Sequence, residues 1–162
     1  RLAWLPQETI LFDRARLSRR IDVNLAEGAS LLMAEAVVFG RAAMGETVEQ
    51  GFFADRWRIH RAGKLIFAET ARLDGAIAGK LSAPASAAGG IAVATLLVSP
   101  GGEDTIDAVR ALDDTFTGEV GISAWNGIAV ARLCARDGAT LRHDLIAVLA
   151  ALGQRVPRLW IN

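Results

Sequence analysis

The chain of 162 residues contains 52% apolar residues, has a formal net charge of zero and includes a single cysteine. This apolar content excludes a disordered chain, and the balanced charge argues against a nucleic-acid binder that relies on a basic field. Cys134 alone excludes an internal disulfide framework or a cysteine-rich metal site. No stretch has the length of a membrane span and the first residues do not resemble a signal peptide, so we expect a cytoplasmic protein without membrane contact.

The first part of the chain has the patterns of β-strands. Residues 21–25 alternate between apolar and polar side chains, as in a strand with one buried face. Leu31–Phe39 is a continuous apolar run that only Glu35 interrupts, as in a strand buried on both faces or a buried helix; its short length and the β-branched Val37-Val38 favour the strand. Residues 56–60 and 65–73 flank a tight turn and predict a hairpin.

The pattern changes after residues 82–90, a stretch of small residues that we interpret as the best internal boundary. Beyond it the sequence predicts a strand, a helix, a hairpin around Asn126-Gly127 and a second helix, at residues 91–98, 103–116, 120–135 and 140–152. We therefore expect a mainly β, α+β fold in a single domain over residues 1–162. It would combine a strand-rich part (1–81) with a strand–helix–hairpin–helix part (91–153).

The sequence contains no H-E-x-x-H, P-loop, G-x-S-x-G or G-x-G-x-x-G motif, so a zinc or nucleotide enzyme is unsupported. Cys134 lies within a predicted strand, where a buried and inert thiol is expected. A small-molecule-binding or hydrolytic enzyme that uses Cys134 stays open as an alternative. His60 and His143 are expected at the surface.

The unusual residues are carboxylates in apolar surroundings. If its strand is buried, Glu35 must be paired, protonated, bound to a ligand or exposed to a wet cavity. Glu69 lies in the predicted second strand of the first hairpin, and Glu46 closes a glycine-containing segment where Arg41 could pair with it bidentately. The alternative interpretation is a structural Arg41–Glu46 pair and a Glu35 that faces an edge.

Several segments together resemble the family of UreD-type urease accessory proteins, called UreH in some organisms. The resemblance rests on an ordered set that spans the chain. Its members are Trp4-Leu5-Pro6-Gln7-Glu8-Thr9-Ile10, Ala15-Arg16-Leu17, Phe39-Gly40-Arg41-x-Ala43-x-Gly45-Glu46, Leu73-Asp74-Gly75, Ala94-Thr95-Leu96-Leu97, Ala131-Arg132-Leu133 and Pro157-Arg158-Leu159-Trp160.

The resemblance implies a non-enzymatic chaperone of urease maturation. Such a protein binds apo-urease and the F-type accessory protein, and through the latter joins the G-type GTPase that supplies nickel. The implied fold is a β-helical stack of strands in two layers, with two helices near the C-terminus. The resemblance also implies a water-filled passage for transient nickel and no tightly bound cofactor. A purely structural interaction module without metal handling is a third possibility.

The resemblance assigns roles to three groups of residues. The candidates for acids that line a metal-transit passage are Glu35 first, then Glu69 and Glu46, and then Asp74. The motif residues Gly40, Arg41 and Gly45 are structural, and the partner-binding candidates are Trp4, Pro6, Arg158 and Trp160, with core packing favoured for both tryptophans. Family members carry a strand-rich segment before the Trp4 motif, so we expect this sequence to represent the C-terminal, larger part of a longer protein.

Overall fold

The computed structural model describes residues 1–41 and 44–160, with Leu159 described by its backbone alone. These residues form nine strands, three α-helices and two short 3₁₀ turns, at Asp113–Thr115 and Arg158–Trp160. In chain order the elements are β1 (Leu2–Trp4), β2 (Thr9–Leu11), β3 (Arg16–Leu25), β4 (Leu31–Phe39), β5 (Gln50–Arg61), β6 (Lys64–Ala76), α1 (Ile77–Ser82), β7 (Ala92–Ser99), α2 (Glu103–Arg110), β8 (Glu119–Trp125), β9 (Ile128–Ala135) and α3 (Gly138–Ala151).

The strands form two sheets. The first has the order β1-β4-β7-β9-β8, and β2 also pairs with β4, so that β1 and β2 lie one after the other along the same edge of β4. The second sheet has the order β3-β5-β6. Residues 5–8 interrupt the β1–β2 edge opposite the middle of β4, so the hydrogen-bonded ladder has a gap beside Glu35.

The chain passes alternately between the two sheets. After β1 and β2 it crosses to the second sheet as β3, then returns as β4, which is parallel to β1 and β2. It crosses again as β5, which is parallel to β3 over ten paired residues. Parallel neighbours require such long connections, because a tight turn can join only antiparallel strands. The hairpin of β5 and β6 ends this alternation.

The two faces of strand β4 show how the layers of the fold are arranged. Its even-numbered residues, such as Leu32 and Val38, belong to a core cluster with α3. Its odd-numbered residues Leu31, Met33 and Phe39 face the second sheet and pack with residues such as Trp57 and Phe53. Because successive side chains of a strand point to opposite faces, the continuous apolar run of β4 lies at the centre of three layers. The layers are the second sheet, the first sheet and the helices.

The helix layer is held by packing and by hydrogen bonds to backbone groups. The buried face of α3 includes Leu141 and Leu145, which pack against the first sheet. Asp137 caps the helix, since its carboxylate accepts a hydrogen bond from Thr140 N at 2.7 Å. Asp144, on the same helix, is only 1% exposed and accepts hydrogen bonds from the backbone N–H groups of Thr117 and Gly118.

The predicted strand at Leu31–Phe39 and both predicted hairpins are confirmed, as are the two helices near the C-terminus. The short helix α1 (Ile77–Ser82) precedes them and is an additional element that the sequence pattern does not predict, because six residues are too few to give a periodic pattern. The helix predicted over residues 103–116 ends at Arg110. Asp113 and Asp114 follow in a 3₁₀ turn. Their negative charges are unfavourable at the C-terminal end of a helix, because the helix dipole is negative there.

Residues 82–90 connect the second sheet to the first. Strand β7, which follows them, pairs with β4 along eight residues, so the strand-rich part and the part after residue 90 share one sheet. Within residues 1–41 and 44–160, no helix combines the length and apolar character that crossing a membrane requires.

Candidate functional site

Five charged side chains lie between the two sheets and separate two apolar clusters. They are Arg19 on β3, Glu35 on β4, Asp55 on β5, Glu69 on β6 and Arg132 on β9, and we call this set the inter-sheet belt. One cluster contains Leu31, Met33, Trp57, Leu97 and Val130, and the other contains Val37, Phe39, Phe53 and Ile77. The belt therefore lies between two apolar clusters of the interior.

Strand register places four of the five side chains in paired rows, whereas Glu69 is paired with Trp57, one inward position along β5 from Asp55. Glu35 is paired with Thr95 of β7, and Thr95 is paired with Arg132 of β9, so three neighbouring strands present polar side chains in one row. In the second sheet Arg19 is paired with Asp55. Side chains at paired positions point to the same face of a sheet, so the ladders themselves build the belt.

Arg19 joins the two sheets at the centre of the belt. Its Nε and Nη2 atoms donate hydrogen bonds to the two carboxylate oxygens of Asp55, at 3.1 and 2.5 Å. Its Nη1 atom donates to Oε2 of Glu35, and the indole Nε1 of Trp4 donates to Oε1 of Glu35 at 2.7 Å. One guanidinium group thus bridges two buried carboxylates, and Trp4 takes the remaining oxygen of Glu35.

Glu35 has the solvent environment of a core residue. It is only 5% exposed, and burial raises the pKa of its carboxyl group above the ordinary value. The hydrogen bond from Trp4 and the charge of Arg19 act in the opposite direction and lower this pKa, but desolvation is the larger effect. The sequence leaves Glu35 paired, protonated, bound to a ligand or exposed to a wet cavity, and the structure shows that it is paired. It also rules out the alternative in which Glu35 faces an edge.

Glu69 and Arg132 form the other half of the belt. The two guanidinium nitrogens Nη1 and Nη2 of Arg132 donate to the two carboxylate oxygens of Glu69, at 2.7 and 2.5 Å. This bidentate pair is less buried than the Arg19 bridge, because the Arg132 side chain is 55% exposed. At the opposite end of the belt, Trp4 is 50% exposed. Polar side chains therefore lead from solvent on one side of the sandwich to solvent on the other.

A cavity of about 50 Å³ lies between the two halves of the belt. Its lining includes Glu35, Asp55, Glu69 and Thr95. A polar cavity needs roughly 10–15 Å³ for each water molecule, so this one has room for a few. The described residues contain no group of three or more His, Cys, Asp or Glu side chains that could hold a metal ion together.

The predicted Arg41–Glu46 pair is confirmed, and it lies outside the belt. Arg41 donates to Glu46 from Nε at 2.7 Å and from Nη2 at 2.9 Å. The backbone N–H groups of Arg41 and Asp13 also donate to this carboxylate. The hydrogen bond from the Arg41 side chain is the largest of the influences that lower the pKa of Glu46 to about 2.

The glycines of this segment have conformational roles. Gly40 has a φ of +100°, and a Cβ atom there would meet the carbonyl oxygen of Glu46 at 2.5 Å, so a larger residue would open the loop. Gly45 also has a positive φ, of +66°. Both observations agree with a structural role for the motif. Its residues 42 and 43 lie outside the described part of the chain.

The structure does not bring the other candidates to the belt. Asp74 is exposed at the end of β6 and pairs with Arg72 at 2.9 Å. Pro6 is half-buried in the gap between β1 and β2, and Arg158 is exposed. Trp160 is buried against the helix-side core, which confirms core packing for this tryptophan. Trp4 differs from that expectation, because it lies at an edge and binds Glu35.

Cys134 has the properties of a structural thiol. It is partly buried, its sulfur donates to the carbonyl oxygen of Ala87 at 3.6 Å, and burial raises the pKa of the thiol. A catalytic cysteine needs a lowered pKa, because the thiolate is the nucleophile. The geometry therefore argues against the alternative enzyme that uses Cys134.

Sequence reasoning missed Arg19, Asp55 and Arg132 as members of the site. A usable signal was present, because each lies two residues from apolar neighbours on the inward face of its strand. Asp55, for example, lies between the buried Phe53 and Trp57 in a period-two pattern. A charged residue at an inward position of several strands marks a buried polar layer.

Comparison with known proteins gives a consistent result. The family model described as UreD urease accessory protein matches residues 1–160. The chain is 60% identical over 161 residues to the urease accessory protein UreD of Bradyrhizobium diazoefficiens, and 58% identical over 161 residues to that of Rhodopseudomonas palustris strain BisA53. These alignments cover 99% of this chain but 58% and 56% of the two relatives. The chain thus spans somewhat more than half the length of these curated relatives.

Proposed function

Because the chain belongs to the UreD urease accessory protein family, we propose that it acts as a chaperone in urease maturation and has no catalytic activity of its own. The name shared by the relatives supports the maturation role. The raised pKa of the Cys134 thiol is the opposite of what an activated cysteine nucleophile requires. We place this role in the cytoplasm.

We further propose that the protein assists nickel delivery through the inter-sheet belt. The observation that carries this proposal is the row of three carboxylates, Glu35, Asp55 and Glu69, along one cavity between the sheets. Carboxylate oxygens accept divalent cations, and the absence of a complete ligand set favours passage over retention. Glu46 and Asp74, which pair with arginines elsewhere, are the weaker candidates for contact with the metal.

The partners in this proposal are apo-urease, the F-type accessory protein and, through the latter, the G-type GTPase. Trp4, Pro6 and Arg158 lie at the surface or in the β1–β2 gap, where a partner can reach them. Trp160 is buried, so substituting it would act on the core. An alanine substitution of Arg158 should weaken co-purification with one of these partners without changing the thermal stability.

We also infer that the strands belong to a β-helical stack. Support comes from the path of the chain, which runs from β1 and β2 in the first sheet to β3 in the second, back to β4 and again to β5. Strand β4 is parallel to β1 and β2, and β5 is parallel to β3. A crystal structure of the full-length protein tests this inference. Further strands parallel to β3 and to the β1–β2 edge are expected, and antiparallel neighbours there would contradict it.

Urease activation under limiting nickel tests the delivery role. We expect Glu35→Gln together with Glu69→Gln to reduce activation, because two of the three belt carboxylates lose their charge. The matched control is Glu27→Gln, an exposed glutamate in a turn. Co-purification with apo-urease should be unchanged in both variants. Full activation by the double variant would contradict nickel delivery through the belt, and failure of the wild type to co-purify with apo-urease would contradict the chaperone role.

A further inference from the structure

The outer face of the second sheet concentrates positive charge. Alternate residues of β3, β5 and β6 point away from the first sheet, because neighbours such as Leu17, Phe53 and Trp57 pack in the core. Paired positions on the three strands therefore form one outward surface. We call this surface the basic face, and its charged residues are Arg16, Arg20, Asp22, Arg56, Arg58, Arg72 and Asp74. Five arginines and two aspartates give it a formal charge of +3.

The acids of the chain are concentrated elsewhere. The chain as a whole has a formal net charge of zero. Residues 103–119 hold six acids, and Arg110 is the only base among them. Helix α2 begins this stretch and packs in the helix layer, on the far side of the first sheet. The neutral total therefore conceals one basic side and one acidic side of the molecule.

The two aspartates of the basic face are already paired. Arg20 donates to Asp22 from Nη2 at 3.2 Å, and Arg72 donates to Asp74 from Nη2 at 2.9 Å. Within residues 1–41 and 44–160, these are the ion pairs of the face. The other three arginines of the face therefore have no carboxylate partner in the described part of the chain.

Two of these arginines lie on the middle strand, β5. Arg58 donates to the backbone carbonyl oxygens of Trp57 and Glu69, at 2.7 and 3.0 Å, so its position is fixed without an acid. Arg56 is exposed. The centre of the face thus presents a guanidinium group to solvent, with its charge available to an anion from outside.

Phe52 contacts two further guanidinium groups of the face. The guanidinium carbon of Arg16 lies 5.3 Å from the centre of the Phe52 ring, and that of Arg72 lies 5.2 Å from it. Cation–π contacts of this kind restrict two long side chains. A ligand that binds them consequently loses less conformational entropy in ordering them. Aromatic residues and arginines are also the residue types enriched at protein interfaces.

We propose that the basic face binds an acidic segment of a partner protein, rich in Asp and Glu. Arginine matches a carboxylate in bidentate geometry, which an exposed guanidinium such as that of Arg56 can supply. From the row of Arg16 to the row of Asp22 the face is roughly 20 Å long, and its three strands span about 10 Å. This area fits one helix or one extended segment, since a helix is about 10 Å wide. The inference goes beyond the proposed function and does not depend on it.

The composition of the face favours a polypeptide over a nucleic acid or a membrane. Nucleic acids and anionic membranes attract basic clusters mainly through charge, and Asp22 and Asp74 reduce that attraction. Single-stranded nucleic acids also stack their bases on aromatic side chains. A base that stacked on Phe52 would compete with the guanidinium groups of Arg16 and Arg72.

The test measures binding of fluorescein-labelled poly-L-glutamate to the full-length protein by fluorescence anisotropy at low salt. The variant is Arg16→Gln together with Arg56→Gln, two exposed positions. It should bind about tenfold more weakly than the wild type, because two hydrogen-bonding charges are lost. The difference should shrink as added NaCl screens the charges. The matched control, Arg110→Gln together with Arg136→Gln, removes the same charge at exposed positions outside the face and should bind like the wild type.

A single substitution guards against poor folding of the double variant. Arg56→Gln alone alters an exposed side chain without an acid partner in the described chain, so it should fold normally. It should weaken poly-L-glutamate binding by less than the double variant does. Circular dichroism of both variants, compared with the wild type, checks that the sheet is intact.

Four results would overturn the proposal. The first is an affinity for poly-L-glutamate that the double variant does not change, and the second is an equal loss in the control. The third is tighter binding of the wild type to DNA with the same number of charges, or to phosphatidylserine vesicles. The fourth is self-association that the double variant abolishes, which would assign the face to a second copy of the chain. Co-purification of the wild type with apo-urease reports on the chaperone role separately, because poly-L-glutamate binding does not involve urease.

Discussion

The inter-sheet belt and the loop that contains Glu46 use the same two chemical groups with opposite results. In the belt, burial raises the pKa of Glu35, although Arg19 and Trp4 both donate to it. In the loop, donation by Arg41 and by two backbone N–H groups lowers the pKa of Glu46 to about 2. The difference is solvent, because desolvation dominates between the sheets and hydrogen bonding dominates at the surface.

This comparison separates two uses of a glutamate–arginine pair. At the surface the pair closes a loop whose glycines allow the turn, and water shares the charges. Between the sheets the same pair holds charges that neither partner can lose without leaving the other uncompensated. Substitutions in the two regions should therefore differ in the size of their effect and in the sign of their pH dependence.

The largest effect is expected for Arg19→Met, which leaves Glu35 and Asp55 without their common cation. Removing one partner of a buried ion pair costs about 3–5 kcal/mol, so we expect a loss of this order in the free energy of unfolding at neutral pH. Urea denaturation followed by circular dichroism measures it. Arg41→Met is the matched change in the loop and should cost much less. Equal losses in the two variants would remove the distinction between the regions.

A buried carboxylate without an arginine extends the comparison to the helix layer. Asp144→Ala leaves the backbone N–H groups of Thr117 and Gly118 without their acceptor, bonded at 3.1 and 2.7 Å. Buried donors without partners cost about 1–3 kcal/mol, so the loss should be smaller than that of Arg19→Met. Denaturation in urea compares the two directly. Asp107→Ala, a change on the shorter helix α2, serves as the control, and a similar loss there would argue against this explanation.

Glu35→Gln tests the sign of the buried pKa shift. The ordinary pKa is 4.5 and the folded state raises it, so the folded protein binds this proton more tightly than the unfolded chain. The contribution of Glu35 to stability is thus complete below pH 4.5 and is lost as the pH rises through the raised value. Relative to Glu35→Gln, the wild type should therefore become less stable as the pH rises through this range. A wild type that gains stability relative to Glu35→Gln as the pH rises would contradict the assigned direction.

Glu46→Gln should show the opposite dependence and the smallest effect at neutral pH. The contribution of Glu46 is present above pH 4.5 and disappears as the pH falls through about 2. Acid titration followed by tryptophan fluorescence, with the wild type and the variant in parallel, measures the difference. The curves should converge in strong acid. Divergence of the two curves as the pH falls would show that the loop is not held by the ionised pair.

The sequence by itself determined the local elements and one of the two ion-pair regions. The alternation in residues 21–25, the apolar run of Leu31–Phe39 and the Asn126-Gly127 turn predict strands and a hairpin that the structure contains. Arg41 and Glu46 are five residues apart, and a glycine-containing loop is enough to bring them together. Such features depend on neighbours along the chain, which a single sequence shows.

Only the tertiary structure decided which residues share the belt. Arg19 and Glu35 are 16 residues apart, and Glu69 and Arg132 are 63 apart. Their contacts depend on how two sheets stack and on the register of parallel strands, and neither follows from the pattern of one strand. Period two indicates that Glu35 and Asp55 point inward, but it does not say which inward residue lies opposite. The charge compensation that makes the buried acids tolerable is therefore a property of the sheet-to-sheet contact.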